Sequence, residues 1–171
     1  MPLNTSLGRA CSIAALVALS LTPLAAHGGR EAQAPVVAAP AVAIDIDNFA
    51  SVNPNYYRGA QPDARGYEAL ARLGVRTIVD LTSDEDVWSE ARTRAEDAGM
   101  TYLRIPMSTR VPPTVEQVSR FLGAVTDAAA QPVYVHCVGG RHRTGVMTAV
   151  YRMTEDAWTP DAAFREMKRY K

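Results

Sequence analysis

Between Val133 and Met147 the chain reads VYVHCVGGRHRTGVM, and this stretch restricts the fold more than any other. Val133 to His136 are mostly β-formers, and the paired glycines Gly139 and Gly140 follow in a tight basic turn. A helical pattern then runs from Thr144 to Met153. Upstream the alternation repeats. Val75 to Leu81 (VRTIVDL) has the apolar, β-branched character of a buried parallel strand, and Met100 to Pro106 (MTYLRIP) is a further strand. Helices are expected from Ala64 to Leu73, opened by Gln61-Pro62-Asp63 and stopped by Gly74, and from Glu85 to Ala98, capped by Thr82-Ser83-Asp84. Another is expected from Thr114, with Gln117 completing a capping box, to about Ala130, and a last one from Thr159-Pro160 onward. Asn48–Val52 and Tyr56–Arg58 form a hairpin about Asn53-Pro54-Asn55. The prediction is an α/β domain with a central, mostly parallel sheet of four to five strands flanked by helices. Right-handed crossovers place the strand C-termini on one edge, where open α/β sheets bind ligands.

The 171 residues carry 18 basic and 18 acidic side chains, so bulk polyanion binding does not follow from charge. The scattered arginines give no nucleic-acid footprint. At the N-terminus, Arg9 precedes an apolar run from Ala10 to Leu21, and small residues offer cleavage after Ala26 or Ala34. Residues 1–34 are expected to be a signal peptide and 35–43 a linker rich in Ala, Pro and Val, with the domain from 44 to 171. The apolar run is shorter than the ~20 residues that span a bilayer, so export to a periplasm or beyond is preferred to an uncleaved membrane anchor. Removal of 1–34 leaves 16 basic and 17 acidic residues and one cysteine, Cys137. A lone thiol in an oxidising compartment is a liability unless it is used. The last helix stops abruptly at Lys171, so a further C-terminal segment is expected.

The chemistry of the turn follows from its residue types. A cysteine acts as a nucleophile only as thiolate, and a helix N-terminus and nearby cations lower its pKa from about 8.5 towards about 3.5–7.5. Cys137 has the helix ahead of it and Arg141, His142 and Arg143 close in sequence. Gly139 and Gly140 let backbone amides point inwards as an anion nest. Arg143 supplies a planar fork for two oxygens. The set suits a tetrahedral dianion with sulfur beneath it, and a phosphocysteine intermediate follows. A buried structural cysteine, an ordinary glycine turn and a solvated basic loop are the bland readings of the parts. Metal binding by His136, Cys137 and His142 lacks a fourth ligand and competes with two arginines. No metal or other cofactor is implied.

HCVGGRHRTG fits the HCxxGxxR[ST] signature and resembles the cysteine-dependent protein-tyrosine and dual-specificity phosphatases. From Asn48 to Tyr170 the chain is similar to small bacterial dual-specificity phosphatases, through NFASVNPNYYRGAQPD, VRTIVDLTSDED and YLRIPMSTRVPPT. The loop is also similar to GKHRTG-type loops of plant and fungal atypical members, which act on inositol pyrophosphates and phosphoproteins. The resemblance implies Cys137 as nucleophile, Arg143 as phosphate clamp, His136 as orienting residue and Thr144 as donor to the sulfur. It implies a cradle of amides from Val138, Gly139, Gly140, Arg141, His142 and Arg143. Arg141 corresponds to a position that is basic in inositide-directed relatives and hints at a second phosphate. The implied partner is a phosphorylated protein or inositol polyphosphate.

One departure stands out. The family's general acid is an aspartate in the loop that here reads MSTRVPPT, which has no carboxylate and places Thr109 at the expected position. Asp84, Glu85, Asp86 and His142 are the candidates to substitute. Arg58 is read as scaffold in preference to an active-edge residue, Trp88 and Trp158 as packing, and Asp80 as the partner of a backbone amide or an arginine. A rhodanese-type sulfurtransferase and a phosphate-binding pseudophosphatase are the rival classes.

Overall fold

A computed structural model describes residues 42–170. The expected signal segment, and the expected linker up to residue 41, lie outside the described residues. Five strands and five helices alternate among them, all within the compact unit Pro40–Lys171. The strands are β1 (Ala50–Asn53), β2 (Tyr56–Ala60), β3 (Thr77–Asp80), β4 (Thr101–Arg104) and β5 (Val133–Cys137). The helices are α1 (Ala64–Arg72), α2 (Ala91–Asp97), α3 (Val115–Thr126), α4 (His142–Thr154) and α5 (Pro160–Met167). They form one sheet in the order β1-β2-β5-β3-β4, in which only β1 runs antiparallel to its neighbour. The α/β expectation holds, with five strands.

The central strand is buried at all five positions, and its alternation divides the core. Val133, Val135 and Cys137 face a cluster with Phe121 and Val125 of α3 and Met147 and Tyr151 of α4. Tyr134 faces the other cluster, with Tyr67 and Leu70 of α1 and Ala91 and Ala95 of α2. Burying each large side chain contributes about 1.5–3 kcal/mol. Parallel register aligns Ala60 with Cys137 and Asp80 with His136, so three strands end at one edge, and the functional loops leave from it.

Helix starts follow their caps where the local signal is strong. Asp63 accepts from the Gly66 amide, and Thr114 and Gln117 form the expected capping box. Three boundaries need correction. α2 begins at Ala91, not Glu85, because the Thr82 amide and the side chains of Ser83, Asp84 and Asp86 are engaged elsewhere. Thr82 N donates to Asp80 Oδ1 at 2.7 Å, Ser83 Oγ donates to Asp86 at 2.9 Å, and Arg104 pairs with Asp84 at 3.0 Å. α3 ends at Thr126 rather than near Ala130, where Asp127 turns extended and its carboxylate accepts from the Ala129 amide, a local competitor of the helix. α4 begins at His142, two residues before the expected start.

Candidate active site

The loop from Cys137 to α4 is shaped by what holds its carbonyls. Val138 O accepts from the Gln61 amide at 3.0 Å, Gly139 O from Asn48 Nδ2 at 2.8 Å and Gly140 O from Arg58 Nη2 at 2.6 Å. In a trans peptide the N–H points opposite to the C=O. Three successive carbonyls tied outwards therefore turn the amides of Gly139, Gly140 and Arg141 inwards. Gly140 has φ +66°, and a Cβ there would overlap the backbone of Gly59, so the loop seats against β2 only with glycine at this position. α4 has no side-chain cap at its N-terminus, which leaves its first amides facing the same bowl.

Cys137 lies at the floor, 3% exposed. Burial opposes charge on its sulfur but is outweighed by the Thr144 hydroxyl, the Thr144 amide, the Arg143 charge and the Gly140 amide, so the thiol ionises below its ordinary value. The Thr144 hydroxyl is buried, and its interaction with the sulfur is the largest of the effects that favour the thiolate. A cavity of about 180 Å³ opens above, lined by Cys137, Val138, Gly139, Arg141, His142, Arg143 and Thr109. The site residues expected from sequence thus converge, except His136. Its imidazole is fully buried, and neither ring nitrogen makes a hydrogen bond to the loop. Nδ1 lies 3.9 Å from Asp80 Oδ1. Burial pushes the His136 pKa down, against the pull of Asp80. Burial also works against the Asp80 charge, but His136, the Tyr102 hydroxyl and the Thr82 amide outweigh it and hold the carboxyl low. Asp80 is therefore a partner of a backbone amide and a tyrosine, with Arg104 Nε at 3.9 Å.

Arg143 is buried, and its guanidinium crosses between two loops. Nη1 donates to Met107 O at 3.3 Å and Nη2 to Asp86 Oδ2 at 3.2 Å, while Nε is buried without a partner. Of the candidates to replace the absent acid, Asp86 is thus an ion-pair partner of Arg143, and Asp84 is engaged by Arg104. Asp84, Glu85 and Asp86 line a cavity together with Thr109 and Arg143. His142 and Thr109 are at the bowl itself. Among the described residues, no group of three or more His, Cys, Asp or Glu side chains is placed to hold a metal, and no helix is long and apolar enough to cross a membrane.

With this geometry, residues 41–170 match the family described as PTP-NADK, DSP-PTPase phosphatase fused to NAD+ kinase. The chain belongs to the dual-specificity phosphatase superfamily. Its similarity to the dual specificity protein phosphatase TpbA of Pseudomonas aeruginosa is 31% identity over 140 residues, 81% of this chain and 62% of that protein. The chain therefore spans less than two thirds of this relative. A crystal structure of TpbA in complex with pTyr superposes with a TM-score of 0.60 at 31% identity, covering 77% of this chain and 80% of the other. The catalytic domain of the PP-IP phosphatase SIW14 from S. cerevisiae does so with a TM-score of 0.64 at 25% identity, covering 74% and 77%.

Sequence reasoning underrated Arg58 and did not single out the Asn48 side chain or Tyr170. Arg58 is fully buried, and its guanidinium carbon lies 3.6 Å from the Tyr170 ring centroid. A cation at an inward position of a strand was the available signal for Arg58. Asn48 and Tyr170 carry no local signal, since their partners are distant in sequence. The packing role expected for Trp88 agrees with its ring against Tyr67, 6.2 Å between centroids, and Trp158 lies under the Arg152 guanidinium.

Proposed function

We propose that this chain is a phosphatase that hydrolyses phosphate esters or anhydrides through a phosphocysteine. The observation that carries the reading is the row of three outward-tied carbonyls, which aims consecutive amides at the space above Cys137, whose thiol ionises below its ordinary value. In the first step the Cys137 thiolate forms an S–P bond as the P–O bond to the leaving group breaks. The inward amides and the Arg143 fork, with Nε available, carry the charge on the equatorial oxygens. Water then attacks phosphorus, the S–P bond breaks, and orthophosphate and thiolate are released, the thiolate being favoured by Thr144. The test is turnover of a chromogenic aryl phosphate by the chain, with Cys137→Ser and Arg143→Lys as controls. Loss of turnover in Cys137→Ser with orthophosphate binding retained is expected. Activity on thiosulfate and cyanide without phosphatase activity would establish a sulfurtransferase, and tight orthophosphate binding without turnover a pseudophosphatase.

The preferred substrates have leaving groups that need no proton. The Met107–Pro113 loop brings Thr109 to the bowl, and the Asp86 carboxylate is paired with Arg143. A tyrosyl oxygen has a parent pKa of about 10, and an alkyl alcohol is worse. A phosphate leaving group has its second pKa near 6. Phosphoanhydrides and activated aryl esters follow, with inositol pyrophosphates ahead of phosphotyrosyl proteins as the physiological class, in keeping with the name of the PP-IP phosphatase SIW14. Equal turnover of alkyl phosphomonoesters and inositol pyrophosphates in one assay would reject this preference. Export of the chain is proposed from its N-terminal sequence, and detection of a shortened form in an extracytoplasmic fraction tests it.

A further inference from the structure

We propose that Arg58 is a positioning residue of the anion cradle and that Tyr170, in the turn after α5, holds it there, so that this turn sets how tightly the Cys137 loop grips a phosphate dianion. The proposal rests on the phosphatase reading of the bowl but is tested apart from it.

The Arg58 side chain leaves β2 beneath the loop and is fully buried. One of its nitrogens, Nη2, donates to Gly140 O at 2.6 Å, and Nε and Nη1 have no partner. A buried guanidinium with two of its three nitrogens unpartnered needs compensation from elsewhere. The Tyr170 ring supplies one part, lying face-on at 3.6 Å from centroid to guanidinium carbon. The titratable and charged groups coupled to Arg58 are Tyr170, Tyr56, Glu166, Cys137 and Tyr134. Tyr56 is bonded to Thr148, and Glu166 is gripped at both oxygens by Arg152, at 2.8 and 3.1 Å. When the Cys137 sulfur is ionised, its charge and that of Arg58 favour one another.

The geometric consequence is at one peptide. Fixing Gly140 O against Arg58 turns the Arg141 amide into the bowl. Tyr170 stops Arg58 from swinging away, and α5 holds Tyr170 in place. Two contacts seat α5 on α4. The Glu166–Arg152 pair is one, and Met167 packed on Gly145 is the other, so close that a Cβ on Gly145 would stand 2.6 Å from the Met167 side chain. The chain of contacts runs Met167 and Glu166, Tyr170, Arg58, Gly140, Arg141 N–H.

The experiment uses the full chain and two readouts that do not need turnover. These are the affinity for inorganic phosphate by calorimetry and the pH dependence of iodoacetamide alkylation at Cys137. Tyr170→Ala is expected to weaken phosphate about five- to tenfold, roughly the loss of one cation–π contact at a desolvated site. It is also expected to move half-maximal alkylation to higher pH. Tyr170→Phe keeps the ring face and is expected to restore both. Arg58→Lys keeps a charge without the reach of the fork, and is expected to weaken phosphate while moving the alkylation profile less. The proposal is overturned if Tyr170→Ala binds phosphate and alkylates like the parent, or if Tyr170→Phe is as impaired as Tyr170→Ala. Should the parent chain bind phosphate but turn over no ester or anhydride, the phosphatase reading fails while the two readouts still decide the role of Arg58 and Tyr170.

Discussion

At the scale of single residues, the site is a balance of charges around one sulfur. Burial alone holds a thiol protonated, and the Thr144 hydroxyl is the first group that reverses it at Cys137. A hydrogen bond to a charged group is worth about 1.5–3 kcal/mol, or about one to two pH units. Thr144→Ala is therefore expected to move the acid limb of kcat/KM to higher pH by about one unit. The activity lost is larger at pH 5.5 than at pH 8, and a pH–rate profile reads this directly. Asp86 poses a different test. Its pair with Arg143 is half-exposed on the carboxylate side, and such pairs are worth about 0–1 kcal/mol. Asp86→Asn is expected to tighten orthophosphate by no more than about fivefold, by freeing Nη2. If instead kcat on an aryl phosphate falls 100-fold without a change in phosphate affinity, Asp86 is a proton donor after all. Cys137 and Arg143 were legible in the sequence because His136, Cys137, Gly140, Arg143 and Thr144 meet one signature within a contiguous turn. The engagement of Asp86 was not legible, because its partner is 57 residues away.

At the scale of elements, the loop is an anion nest only because β2 and the segment before it accept its shape. Gly140 meets the Gly59 backbone with no room for a methyl group and at a φ that other residues rarely adopt. Gly140→Ala is expected to displace the loop and lower kcat/KM by about 100-fold or more, the scale of an ångström-level misplacement. Its melting temperature falls as well, while Gly123→Ala, in open space on α3, costs nothing or stabilises slightly. Where one element carries its own start signal, as Asp63 and Thr114 do, the boundary was readable. Where polar side chains are engaged elsewhere, as those of Ser83, Asp84 and Asp86 are, the helical pattern misled, because tertiary partners outcompeted the local cap.

At the scale of the whole molecule, the sheet buries two ionisable side chains, His136 and Asp80, side by side under the site. The His136 pKa is lower folded than unfolded. Below its ordinary value near 6.5 the unfolded chain binds a proton that the folded chain refuses, so stability falls as pH drops from about 6.5 towards the folded value. The slope for one proton is at most about 1.4 kcal/mol per pH unit. Asp80, whose pKa is also depressed, acts in the same direction at lower pH, below about 4. The melting temperature is thus expected to fall between pH 7 and 5.5, and His136→Phe to flatten that window and also to weaken the acid transition of Asp80, whose carboxyl loses the first of the groups that hold it low. An unchanged slope in His136→Phe would remove His136 from this account.

The sequence by itself determined the α/β class, the order of strands and helices along the chain, and the one turn that holds Cys137, Arg143 and the glycines between them. All of these depend on residues near one another along the chain, where spacing and propensity act directly. Only the tertiary structure decided which groups turn the carbonyls of that turn outwards. Asn48 and Arg58 reach it from 91 and 82 residues away, and a hydrogen bond across such a distance exists only once the sheet has brought its strand ends to a common edge.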